Sequence, residues 1–199
     1  MRFVSGEHPI IAYYGETDAA RYPLILVIGR EPNANQVIAN TVGQYDFRLA
    51  PLCGFWNTSY GMLARVVGLD VRGLKKLCVE RRGSPLIYAD SLPHCLPNTT
   101  ANKRAYRDRV ATEKVVTHIA SIFSHRELVD RVGLVIMSGL RSSLFRPARL
   151  AIERECEFLT TPVIDLPFFF GTNTKKIQRE LTEENRRLLS SIFERFEVA

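Results

Sequence analysis

Leu24-Ile25-Leu26-Val27-Ile28 is an unbroken apolar run closed by Gly29-Arg30-Glu31-Pro32, and its reading decides the fold. Three of its five residues are β-branched. A strand covered on both faces has no polar side to alternate with, so it reads as a continuous hydrophobic run of this kind. Working outward, the same reading applies to Leu86–Ala89, Leu134–Met137 and Pro162–Leu166. Between these runs the spacing changes to that of helices. Thr58–Val67 follows Asn57 as its N-cap, and Lys103–Phe123 carries Val115, Ile119, Ile122 and Phe123 on one face. Arg141–Glu155 carries Leu144, Leu150 and Ile152. Thr182–Phe196 stripes Leu188, Leu189, Ile192, Phe193 and Phe196 behind Glu183 and Glu184 in its first turn. Strands alternating with helices predict parallel crossovers and a three-layer α/β/α sandwich around a central four-stranded parallel sheet. No repeat, low-complexity stretch or Gly/Ser linker interrupts the pattern, so residues 1–199 are read as a single domain.

The composition suits that reading. With 199 residues, 46% of them hydrophobic and 24% charged, the chain has enough apolar material for one core, which excludes a disordered tail or a disulfide-stapled miniprotein. Cys53, Cys78, Cys95 and Cys156 stand singly, without metal-ligand spacing, so no metal and no other cofactor is expected. Neither a leader at Met1–Ile11 nor a run of about 18 apolar residues is seen, and a cytoplasmic protein with reduced thiols is expected. The formal net charge of +6 is uneven: residues 71–110 carry +6 and 111–150 carry +3, whereas the flanking segments are neutral or acidic. A basic middle suits a polyanionic partner, although a solvated helix face has the same composition.

In folds of this class, ligands sit outside the carboxyl ends of the parallel strands. After the first strand, the glycine and proline of Gly29-Arg30-Glu31-Pro32 hold Glu31 at a stiff corner, where a carboxylate can orient water or stabilise a cation; the plainer reading is a helix cap or a partner for Arg30. Gly54-Phe55-Trp56-Asn57 places two aromatics beside polar residues, and aromatic faces stack on nucleobases as well as filling cores. After the second strand, Asp90-Ser91-Leu92-Pro93-His94 opens a polar, proline-stiffened loop that leads to Arg104, Arg107 and Arg109. The third strand ends in Ser138-Gly139-Leu140-Arg141-Ser142-Ser143, a small-residue turn suited to a phosphate. After the fourth come Pro167-Phe168-Phe169-Phe170, too many aromatics for one core from one loop, so Phe168 is read as a wedge or pocket wall.

Taken in order, these residues resemble the uracil-DNA glycosylase superfamily over residues 24–170. Gly29-Arg30-Glu31-Pro32 is similar to the loop that activates water, and Gly54-Phe55-Trp56-Asn57 to the base-stacking segment of the mismatch-specific branch. Ala89-Asp90 through Pro97-Asn98 resembles the loop that reads the base edge in the bacterial branches, and Val135-Ile136-Met137-Ser138-Gly139 their third strand and turn. The sequence also departs from the family. Glu31 stands where the family has Asp or Asn. Asp90 stands where an asparagine reads uracil, and a carboxylate only accepts hydrogen bonds, so amino and ring N–H groups are favoured over a uracil carbonyl. Leu166 stands at the place of the family histidine.

The resemblance implies a DNA glycosylase-like protein of base-excision repair. Its expected partner is DNA, its catalytic residue Glu31, its base-binding residues Phe55, Trp56 and Asp90, and its nucleic-acid contacts Arg104, Arg107, Arg141 and Phe168. Two alternatives stay open: a non-catalytic nucleic-acid or nucleobase-binding protein of the same fold, and an α/β enzyme acting on a small nucleoside.

Overall fold

The computed structural model describes residues 10–15, 23–30, 54–92, 112–169 and 171–198. Its centre is a five-stranded sheet of β1 (Ile10–Gly15), β2 (Leu24–Gly29), β3 (Gly83–Asp90), β4 (Val132–Ser138) and β5 (Val163–Leu166), in the order β1-β3-β2-β4-β5. The four strands expected from the apolar runs are all present and mutually parallel. A fifth strand, β1, lies outside the four expected runs and pairs antiparallel with β3 at the sheet edge. Leu24–Ile28 is fully buried, as an all-apolar central strand must be.

The helices are α1 (Gly54–Val66), α2 (Val71–Glu80), α3 (Thr112–Phe123), the short α4 (Arg126–Val129), α5 (Arg146–Phe158), α6 (Thr174–Glu180) and α7 (Glu183–Val198). The path from β2 through α1 and α2 to β3 moves outward on one side. The path from β3 through α3 then passes back over β2 to β4. Right-handed crossovers in opposite directions place their helices on opposite faces of the sheet. Accordingly α3 packs on α5, while α1 packs on α2, α6 and α7, and α7 lies against β3 and β4. The result is the three-layer α/β/α sandwich.

Two buried hydroxyl pairs pin α1 to β3: Ser59 Oγ with Tyr88 Oη and Tyr60 Oη with Ser84 Oγ, each at 2.6 Å. They let a polar-flanked helix sit on an apolar sheet without orphaned donors. The predicted stripes on α3 and α7 are buried as expected, except that Leu188 is only half-buried.

The boundaries differ in instructive places. Helix α1 starts at Gly54, not Thr58, so Asn57 is no N-cap; its Oδ1 accepts a 3.0 Å hydrogen bond from Lys75 Nζ on α2. The helix expected from Arg141 begins at Arg146, with Pro147 in its first turn, where a missing N–H costs nothing. Leu150, expected on its apolar face, is 55% exposed, because Ala148, Ala151, Ile152 and Cys156 make the buried side. Helix α2 was not anticipated. Asp70 caps it, accepting from the Gly73 N–H at 2.6 Å.

Candidate functional site

Parallel strands bring four carboxyl ends to one rim: Gly29 of β2, Asp90 of β3, Ser138 of β4 and Leu166 of β5. Gly29 stands in register with Asp90, and Ser138 with Leu166. Connections leave β2 and β4 in opposite senses, so the gap between these two strands is the topological switch point where ligands of doubly wound folds bind.

Gly29 is the floor of this rim. A Cβ placed there would lie 3.0 Å from Asp90 Oδ1 and 3.2 Å from Phe55 Cζ. Only a residue without a side chain lets the first turn of α1 bring an aromatic ring this close to a strand end that also faces a carboxylate. Phe55 is half-buried and sits among other rings, with centroids 5.9 Å from Tyr88, 5.6 Å from Phe168 and 5.7 Å from Phe169. Phe168 is therefore a wall of this aromatic cluster rather than a projecting wedge. Phe169 behind it is fully buried, and its N–H donates to Ser138 Oγ at 2.9 Å.

Arg30 spans the switch point. Its Nε donates to the Gly139 carbonyl at 2.8 Å, and its guanidinium carbon lies 4.6 Å from the Phe168 ring centroid and 5.8 Å from that of Phe145. Gly139 takes φ +76°, and a Cβ there would meet Phe168 Cβ at 2.5 Å and Arg30 Nε at 2.9 Å. The turn after β4 thus has to be glycine for the arginine and the phenylalanine to share its space. Ser91 secures the other side, its N–H donating to the Gly29 carbonyl at 2.9 Å and its Oγ to the Arg30 carbonyl at 2.5 Å. His118, on α3, donates from Nε2 to the Asp90 carbonyl at 2.9 Å. Sequence reasoning assigned no role at the site to Arg30, Ser91 or His118. Arg30 and Ser91 are adjacent to motif residues, which was the available signal, whereas His118 is brought in by tertiary packing alone.

The structure thus brings together Phe55, Asp90 and Phe168 of the expected site residues. Glu31, Arg104 and Arg107 lie outside the described residues, as do His94 and Arg109. Trp56 stands in the first turn of α1, and its side chain lies outside the description.

Arg141, expected as a phosphate contact, is held by carboxylates of this chain. Its Nη1 pairs with Glu180 at 2.6 Å, its Nε with Asp165 at 3.3 Å, and its Nη2 donates to the Asp165 carbonyl at 2.5 Å. Burial alone would lower its pKa, but the Glu180 hydrogen bond and the Asp165 charge raise it. A phosphate would have to displace carboxylates already in place. Arg141 also lines a cleft of about 200 Å³ with Ser142, Ser143, Arg146, Arg149 and Glu153, in which Arg149 pairs with Glu153 and Asp165. The turn after β4 thus builds an internal charge network where a phosphate seat was expected.

Leu166, which the resemblance sets where a histidine was expected, is fully buried, and its carbonyl accepts from the Gly139 N–H at 2.8 Å. It presents no polar group to the rim. Among the described residues no group of carboxylates, histidines and cysteines is arranged to hold a metal ion. Cys78 and Cys156 are free and buried, and burial pushes both thiols up to about 12. No helix of the described residues is long and apolar enough to cross a membrane.

No protein-family model matches the chain, and no curated protein matches it significantly.

Proposed function

We propose that this chain is a DNA glycosylase-like protein that binds DNA, accepts an extruded base at the rim of the sheet and hydrolyses its N-glycosidic bond, with Glu31 orienting the water. The observation that carries this reading is the convergence of the Phe55 ring and the Asp90 carboxylate on Gly29 beside the switch point. A ring supplies stacking worth about 1–3 kcal/mol per base. The carboxylate, an acceptor only, selects bases that offer an amino or ring N–H group. The basic stretch 71–110 supplies charge for phosphates, and Arg72 and Lys76 on α2 are exposed; Arg81 and Arg82 are also exposed but precede the amino end of β3, opposite the rim.

The test is to incubate the protein with duplexes that each carry one damaged or mismatched base. Abasic product is expected from at least one substrate, with the rate falling about 10²-fold or more in Glu31→Gln, the scale of a lost or misplaced catalytic group. Absence of product from folded protein across the panel would remove the hydrolytic claim.

A second reading is favoured by one observation, the burial of hydrocarbon Leu166 where a polar group would face the leaving base. In it the protein binds nucleic acid or nucleobases without cleaving them. Its signature is salt-dependent binding that survives Glu31→Ala, with a slope reporting the phosphates neutralised.

A further inference from the structure

We propose that Arg30 is the electrophile of this site, its guanidinium taking up the negative charge that collects on the base as the N-glycosidic bond breaks; the inference rests on the base-site reading above. In that reaction the C1′–N bond breaks and its electron pair leaves with the ring nitrogen. The charge spreads onto the carbonyl oxygens of the base. The water oxygen bonds to C1′, its proton passes to the carboxylate that orients it and then to solvent, and the departed base regains a proton from solvent. The products are the abasic sugar hydroxyl and the neutral base. A fixed cation or donor aimed at the departing ring lowers the barrier of such a step, and losing one typically costs about 10²–10³ in rate.

Leu166 cannot serve, being buried and apolar. Arg30 occupies the space above the same strand end. Its Nε is bonded to the carbonyl of Gly139, whose own N–H is bonded to the Leu166 carbonyl, and its guanidinium stacks on Phe168, two residues beyond Leu166. The geometry is fixed from both ends, since Ser91 Oγ holds the Arg30 carbonyl while Gly139 and Phe168 hold the head. Preorganisation of this kind is what separates an electrostatic catalyst from a mobile surface charge.

Two further observations point the same way. Arg30 is half-buried, and among the described residues no carboxylate pairs with it, whereas Arg141 and Arg149 in the neighbouring cleft are matched by Asp165, Glu180 and Glu153. The Nε edge is committed to Gly139, which leaves the Nη edge, a pair of donors in fixed relation, for carbonyl oxygens of a base. Phe168 carries this guanidinium, and its ring centroid lies 5.6 Å from that of Phe55, so Phe168 links the electrophile to the stacking ring.

The experiment measures binding of two free oxopurines to the full chain at one pH, chosen so that xanthine is ionised and hypoxanthine is neutral. Both carry N–H groups for Asp90. The expected result is xanthine bound about tenfold more tightly than hypoxanthine by the unaltered protein, about 1.4 kcal/mol. The preference is expected to vanish in Arg30→Gln and to be reduced but retained in Arg30→Lys, which keeps the charge without the paired donors. Equal affinities in the unaltered protein, or an unchanged ratio in Arg30→Gln, would overturn the assignment while leaving the base site standing. Binding of neither purine would overturn the base site and this inference with it. The ratio in the unaltered protein is read without any variant, so a folding defect in Arg30→Gln does not shield the proposal.

Discussion

The Asp90 carboxylate and the Phe55 ring press on one point above the Gly29 Cα, at 3.0 Å and 3.2 Å from where a Cβ would stand. Gly29→Ala is therefore expected to displace the ring or the carboxylate by a few tenths of an ångström rather than to unfold the sheet. Overpacking of this kind costs about 1–3 kcal/mol. Nucleobase affinity should fall about tenfold or more while the circular dichroism spectrum is retained, with thermal melts and calorimetric titration as the measurements. A variant with unchanged affinity would show that Phe55 and Asp90 do not act on the ligand together.

Gly139→Ala should be far more damaging. The new methyl would lie 2.5 Å from Phe168 Cβ and 2.9 Å from the Phe168 Cα, in a backbone held at φ +76°. Left-handed strain and overpacking together amount to about 2–5 kcal/mol. Denaturant unfolding should show the loss in midpoint without a change in slope.

Arg141→Gln separates two uses of a surface arginine. Its guanidinium is engaged by Glu180 and Asp165, so the variant should lower the melting temperature and leave the salt dependence of DNA binding unchanged. If the slope of log affinity against log salt instead drops by about one, Arg141 contacts a phosphate.

The buried thiols set an alkaline limit. Cys78 and Cys156 have folded pKa values raised to about 12, first by desolvation, from an ordinary value of 9.0. Raised values mean that the folded protein binds more protons than the unfolded chain in this window. Stability is thus intact below about pH 9 and falls as the pH climbs toward 12, at up to about 1.4 kcal/mol per pH unit for each thiol. Cys78→Ala and Cys156→Ala should each flatten that decline in urea melts. Alkylation at neutral pH, read by mass spectrometry on the two peptides, should be slow until the protein unfolds.

Much of this architecture was legible from residues alone because central parallel strands have an unmistakable composition. Leu24–Ile28 has no polar face to confuse it with a surface helix, and the other three runs followed from it. Strand β1 escaped because an antiparallel edge is defined by its partner as much as by its own residues. Helix α2 escaped because its signal is a single capping Asp70 with few buried side chains, Leu74 and Cys78. Around the rim, motif order identified Phe55, Asp90 and Phe168, which topology then brought together. Arg30 and His118 act through contacts to Gly139 and Asp90 more than 25 positions away in sequence, and no local spacing encodes such contacts. The ion pairs of Arg141 were illegible for the same reason: its carboxylate partners, Asp165 and Glu180, come from β5 and α6.

The two margins of the sheet also bear on how the protein behaves when crowded. One margin is β1, whose pairing with β3 breaks register between Ile10 and Ala12 and again between Tyr13 and Gly15. The other is β5, only four residues long. An invading strand needs a straight, extended ladder of free backbone groups to add to. Among the described residues neither margin offers one of any length, so the edges of an otherwise highly apolar sheet are poor templates for aggregation by strand addition.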